Sequence, residues 1–195
     1  MILSEEKYEL NGKEILLRSA NENADDANML IDYLGLAQIN TCIQKNGWKE
    51  SVLHNPIDFA KYDRLGTSTP ADYGDLFRRI AEGTLVSAEA SAKMLAICKM
   101  QHYNSMLTKF IPPFYTDPDN YDEQIISFAS KSGSMDECRN DGGIVTTPYG
   151  SYVIVLFNKN FSDRLYYPEH PATVFGARVS RLVFDQYLAL GGKFL

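Results

Sequence analysis

The hydrophobic period of this sequence changes once, at Pro112-Pro113. Ahead of that pair, apolar residues recur at helical spacing; after it they fall in short strand-like runs, so helices come first and strands later. Ala27, Leu30, Ile31 and Leu34 line one helical face that Gly35 ends, and a second short helix is expected over 37–45. Residues 47–68 have few periodic apolar positions and read as a long surface loop. Thr69-Pro70-Ala71-Asp72 supplies a cap, a proline for the first helical position and a carboxylate placed to close a capping box. Tyr73, Leu76, Phe77 and Ile80 continue as an apolar stripe that Gly83 stops. Ser87 opens the next helix, whose inward residues are Ala90, Met94, Ile97 and Cys98.

Past the prolines, residues 125–131 and 141–147 read as strands. Thr147-Pro148-Tyr149-Gly150 has the proline and glycine of a type I turn. The run Tyr152-Val153-Ile154-Val155-Leu156-Phe157 does not alternate, which predicts a strand covered on both faces. A closing helix is expected over 171–190, with Phe175, Val179, Leu182 and Val183 turned inward. The expected class is α+β: an antiparallel sheet of three strands sandwiched by helices. It is expected to form one domain over 1–195, with a helical part at 13–111 and strand hairpins plus the C-terminal helix at 123–191.

Composition narrows the function. A net charge of −6 with no basic patch argues against a nucleic-acid partner. Three well-separated cysteines, Cys42, Cys98 and Cys138, are not a disulfide framework. Cys98 and His102 are one helical turn apart, but no second pair accompanies them, so neither a metal nor another cofactor is expected. Met1-Ile-Leu-Ser runs directly into Glu5-Glu6-Lys7 without the apolar core of a signal peptide, and no run nears the ~20 apolar residues of a membrane span. As written, the chain is expected to stay in the cytoplasm.

The chemistry concentrates in Phe128-Ala129-Ser130-Lys131-Ser132-Gly133-Ser134, followed by Arg139-Asn140-Asp141-Gly142-Gly143-Ile144-Val145. A lysine on a strand beside a cleft attracts a carboxylate, the adjacent hydroxyl can hydrogen-bond it, and a glycine lets a ligand lie against the backbone. The residue after the glycine can aim its N–H at a carbonyl under attack.

This segment resembles the Lys-Thr/Ser-Gly box of class A β-lactamases and penicillin-binding proteins. Asn28-Met29-Leu30-Ile31-Asp32-Tyr33-Leu34-Gly35 looks like the helix after that family's Ser-Asp-Asn loop. Thr67-Ser68-Thr69-Pro70-Ala71-Asp72 looks like the close of its omega loop, and Leu85-Val86-Ser87 leads into a helix of similar pattern. The resemblance implies a partial β-lactamase/transpeptidase-like fold. It implies that Lys131 and Ser132 hold a carboxylate, Gly133 gives clearance and Ser134 supplies an oxyanion N–H. The ligand would be a small molecule or peptide bearing a carboxylate.

Three departures qualify that implication. The family's nucleophile lies in a Ser-x-x-Lys on a buried helix, whereas the one here, Ser4-Glu5-Glu6-Lys7, sits in a polar stretch near the terminus. The Ser-Asp-Asn site falls on Glu22-Asn23-Ala24 by gapless counting, or on Ser19-Ala20-Asn21 with a short insertion; the latter would make Ser19 catalytic and Asn21 ligand-binding. From Gly47 to Ser68 the only glutamate is Glu50, and no Leu-Asn follows it to mark a deacylating residue. The expected function is therefore a β-lactamase-like acyl-serine hydrolase domain, for β-lactam or D-alanyl amides, inactive as this chain alone and open to complementation by an N-terminal segment. The alternative is a non-catalytic binding protein holding a peptidoglycan-like or peptide ligand. The sheet is also expected to lack the family's leading strand, leaving 152–157 as an uncovered apolar edge.

Overall fold

The computed structural model describes residues 6–10, 13–17, 24–101, 106–116 and 126–193. It begins with a hairpin that helical periodicity did not announce: β1 (Glu6–Leu10) pairs antiparallel with β2 (Lys13–Leu17), Leu10 opposite Lys13. Residues 13–17, expected within a helical part, are thus a strand. The dipeptide between the partners in the sequence is Asn-Gly, the strongest short signal for a tight hairpin. Two compact units divide the chain, Met1–Asp72 and Tyr73–Leu195.

In the first unit, α1 (Ala24–Leu34) and α2 (Leu36–Lys45) meet at Gly35, whose φ of 80° suits a residue without Cβ. Ile31 is buried, but Leu34, expected on the same inward face, is half exposed. The expected loop at 47–68 carries a small hairpin of β3 (Val52–Leu53) and β4 (Gly66–Thr67). Side chains organise the remainder. Asn40 brackets Leu53, donating to its carbonyl and accepting from its N–H at 2.8 Å each, and Asn28 does the same for Ile57 at 2.8 and 2.7 Å. Satisfying backbone groups in this way lets an irregular segment hold one course.

The next helix, α3 (Pro70–Ala81), starts as its sequence predicts, the Thr69 hydroxyl accepting from the Asp72 N–H at 3.2 Å. The expected capping box is not completed by Asp72, whose carboxylate takes the Glu50 N–H at 3.1 Å and the Ser51 hydroxyl at 2.9 Å. On α4 (Ala88–Lys99) Ser87 is the cap, accepting from the Ala90 N–H at 3.1 Å. A one-turn helix, α5 (Pro113–Thr116), follows the prolines.

The sheet is β5 (Ser127–Met135), β6 (Cys138–Thr147) and β7 (Gly150–Lys159), antiparallel in that order and joined by two-residue turns. This is the expected α+β arrangement of three strands with helices on either face. The long α6 (Pro171–Ala189) covers one face. There Phe184, Tyr187, Val145, Tyr152, Ile154, Leu107 and Ile126 form the core, each large side chain contributing roughly 1.5–3 kcal/mol by burial. On the other face α3 lays Tyr73 against Phe157, ring centroids 5.7 Å apart, and α4 packs on β5. The unalternating run in β7 is thus contacted from both sides, as predicted.

α6 is rotated from its predicted setting. Phe175 and Leu182, expected inward, are 63% and 70% exposed, and the buried stripe is Gly176, Ala177, Ser180, Phe184 and Tyr187. Close approach decides this: a Cβ on Gly176 would run into the Met106 Sδ, so the helix turns its small residues to the sheet. Hydropathy weighs apolar size and misses a face chosen for smallness.

Candidate functional site

The Lys-Ser-Gly-Ser segment does not end its strand. β5 continues to Met135, with Lys131 paired to Gly142, Ser132 to Asp141, Gly133 to Asn140 and Ser134 to Arg139. The expected end at residue 131 falls short because polar residues past it still pair with β6 in a regular ladder. β5 has β6 on one side only, so its other edge is unpaired within the described sheet.

Strand alternation sorts the candidate residues. Lys131 and Gly133 face α3 and α4; Ser132 and Ser134 face the side that α6 covers. Side chains of Lys131 and Ser132 can therefore converge on one ligand only around the unpaired edge of β5. Lys131 is exposed, and its ammonium donates to the Ser132 carbonyl at 2.7 Å. Among the described residues nothing lies within 4 Å of where a Gly133 Cβ would stand, so this part of the strand is an open shelf. Ser19 and Asn21 lie outside the described residues, as does Ser4. Lys7, the fourth residue of the only Ser-x-x-Lys, is in strand β1 rather than on a helix.

Tyr73 builds the back of the shelf. Its hydroxyl donates to the Lys131 carbonyl at 3.0 Å, and its ring rests where a Gly142 Cβ would come within 2.8 Å of it. Burial, with Asp141 adding to it, pushes the Tyr73 phenol far above its ordinary pKa, so it is a donor at any physiological pH. Cys98, half-buried on α4, has its thiol pushed up by burial, an effect that the Lys131 charge partly offsets. His102, its suggested metal partner, is outside the described residues, and among those described no cluster of metal-binding side chains occurs.

Sequence reasoning missed the polar scaffold on the opposite face. Asp141, 2% exposed, accepts from the Leu107 N–H at 3.0 Å and the Gly142 N–H at 2.9 Å, while the Ser180 hydroxyl donates to the Leu107 carbonyl at 2.9 Å. Leu107 is buried outside any helix or strand, so both its backbone groups need side-chain partners. Arg139, 3% exposed, donates to the carbonyls of Met135, Cys138 and Leu165 and stacks between the rings of Phe161 and Tyr166. His170 accepts from the Ala172 N–H through Nδ1 and donates from Nε2 to the Asp163 carbonyl, capping α6. Only the spacing of polar residues within apolar runs could have hinted at these positions.

An open hollow of about 480 Å³ runs along α2, lined by Ala37, Asn40, Thr41, Gln44 and Lys45, none of them a candidate residue. Among the described residues no helix is long and apolar enough to cross a membrane.

Comparison with known proteins places this geometry. No curated protein matches the chain. A β-lactamase from Sphaerobacter thermophilus superposes with a TM-score of 0.72 at 25% identity, over 91% of this chain and 65% of that one. PBP-A gives a TM-score of 0.70 at 22% identity, over 96% of this chain and 68% of its own. A representative of class A β-lactamase from Bacteroides cellulosilyticus gives 0.58 at 20%, over 84% and 58%. The chain thus spans about two thirds of the length of the first two. The model of the β-lactamase enzyme family matches residues 24–187, more than half of the sequence, and the chain belongs to that family.

Proposed function

We propose that this chain is the ligand-holding part of a β-lactamase-like acyl-serine hydrolase, binding a β-lactam or D-alanyl amide along β5 and, by itself, not turning it over. The observation that carries the reading is the Lys131-Ser132-Gly133-Ser134 segment set regularly into an edge strand, its glycine side open. Lys131 would attract the ligand carboxylate and Ser132 would hydrogen-bond it. Gly133 would let the acyl donor lie against the backbone. Backbone groups two apart along a strand turn to the same edge. The Ser134 N–H therefore shares an edge with the Ser132 carbonyl that carries the ammonium, which suits an oxyanion donor. Within the family match no Ser-x-x-Lys occurs, and Glu50 is exposed with its N–H bonded to Asp72. These points support binding without turnover.

The second reading, a non-catalytic binding protein, is favoured by the absence of a Glu-x-x-Leu-Asn stretch in 47–68. One experiment addresses both. Benzylpenicillin is titrated into the purified chain by calorimetry, with intact-mass analysis of the same sample and nitrocefin turnover measured with and without a synthetic segment carrying Ser-x-x-Lys. The expected result is reversible binding weakened about tenfold or more by Lys131→Met, no acyl adduct, and turnover only with the segment. Binding with no turnover in either case supports the second reading. An acylated serine in the chain alone overturns the lack of turnover, and no binding at all overturns the ligand site.

A further inference from the structure

We propose that Asn140 is a ligand-positioning residue of the β5 shelf, its carboxamide meeting a secondary amide of the ligand laid over Gly133. The proposal rests on the reading above that β5 holds the ligand. Residues directly opposite in an antiparallel pair share a face. Asn140 is opposite Gly133 on one side and Phe157 on the other, so its side chain stands beside the open shelf and one row from Lys131 and Gly142.

Two observations bear on the Asn140 carboxamide. Its Oδ1 is buried and has no hydrogen-bond partner among the described residues. Three polar side chains close to it in the sheet are occupied: Asp141 by Leu107 and Gly142, Arg139 by three carbonyls, Asn158 by the Ala172 carbonyl. An unpaired buried carbonyl destabilises a fold and asparagine is a poor strand former, so an apolar residue would serve the sheet better. The residue as a whole is only half-buried.

The chemistry follows. The last torsion of asparagine is broad, and no group among the described residues holds Oδ1, so the carboxamide can turn to give N–H to a ligand carbonyl or accept a ligand N–H. A secondary amide about 7 Å from a carboxylate matches the two-residue step along the strand from Lys131 to Gly133. Acylated β-lactams and D-alanyl peptides share that pairing of amide and carboxylate.

The test compares benzylpenicillin with 6-aminopenicillanic acid, which keeps the carboxylate and lacks the side-chain amide, on the full chain and its Asn140→Leu, Asn140→Ser and Lys131→Met variants, with thermal melts alongside. The expected result is that both Asn140 variants weaken benzylpenicillin about tenfold, leave 6-aminopenicillanic acid unchanged, and melt no lower than the parent. If Lys131→Met weakens both ligands while neither Asn140 variant weakens either, this inference fails and the β5 reading stands. If the Asn140 variants weaken both ligands equally, the assignment to the amide fails. If Lys131→Met changes neither ligand, the β5 reading fails and takes this inference with it.

Discussion

The two faces of the three-stranded sheet use polar residues in opposite ways. Toward α6, buried Asp141, Arg139 and Ser180 are bonded to backbone groups, and Arg139 is further enclosed by two rings. Toward α3 and α4 stand Lys131, Gly133, Asn140 and Gly142, a row with an exposed cation, two residues without side chains and an amide oxygen that accepts from no group among the described residues. Burial makes an unpaired polar group costly, so the bonded Asp141, Arg139 and Ser180 hold backbone segments in place, and the Asn140 oxygen does no such work among the described residues.

The largest expected effect comes from breaking the paired face. Asp141→Ala leaves the Leu107 and Gly142 N–H groups without their acceptor and should lower stability by about 3 kcal/mol, a drop of roughly 6–12 °C in melting temperature. Differential scanning calorimetry measures it. A loss under about 1 kcal/mol would mean that the Asp141 bonds do not carry the segment at 106–111.

A smaller effect is expected at the seam of the open face. In Gly142→Ala the new methyl meets the Tyr73 ring, a clash of about 1–3 kcal/mol on chemical denaturation. Adding Tyr73→Leu to that variant should recover most of the loss. If the double variant is no more stable than Gly142→Ala alone, the ring does not rest on that strand.

The smallest effect sharpens the placement of Lys131. The Cys98 thiol is raised by burial, so iodoacetamide at pH 8 should label exposed Cys42 first and Cys98 later. Because the Lys131 charge favours the thiolate, Lys131→Met should slow Cys98 by a further factor of about two to five and leave Cys42 unchanged. Peptide mass mapping over time reads both rates. Equal Cys98 rates in the two proteins would put the ammonium elsewhere.

Much of the architecture was legible in the residues. The caps Thr69 and Ser87, the stop at Gly35, the double proline and the tight turn at 148–149 act through backbone geometry within a few positions, so their effects can be read locally. The Lys131-Ser132-Gly133-Ser134 box was legible for the same reason, as a local pattern with a recognisable order of neighbours. The pairing of 6–10 with 13–17 was legible in the Asn-Gly between them, a signal that helical periodicity does not weigh.

What the amino-acid order determined by itself was which segments coil, which extend and where a cation and a glycine sit side by side. Tertiary structure alone decided which way α6 faces, that β5 runs on to Met135, that Asp141 and Arg139 are scaffold, and that the Asn140 oxygen has no partner among the described residues. Those outcomes depend on how closely two surfaces approach and on which backbone groups distant in sequence are left needing a partner. Such quantities exist only once the chain has brought its parts together.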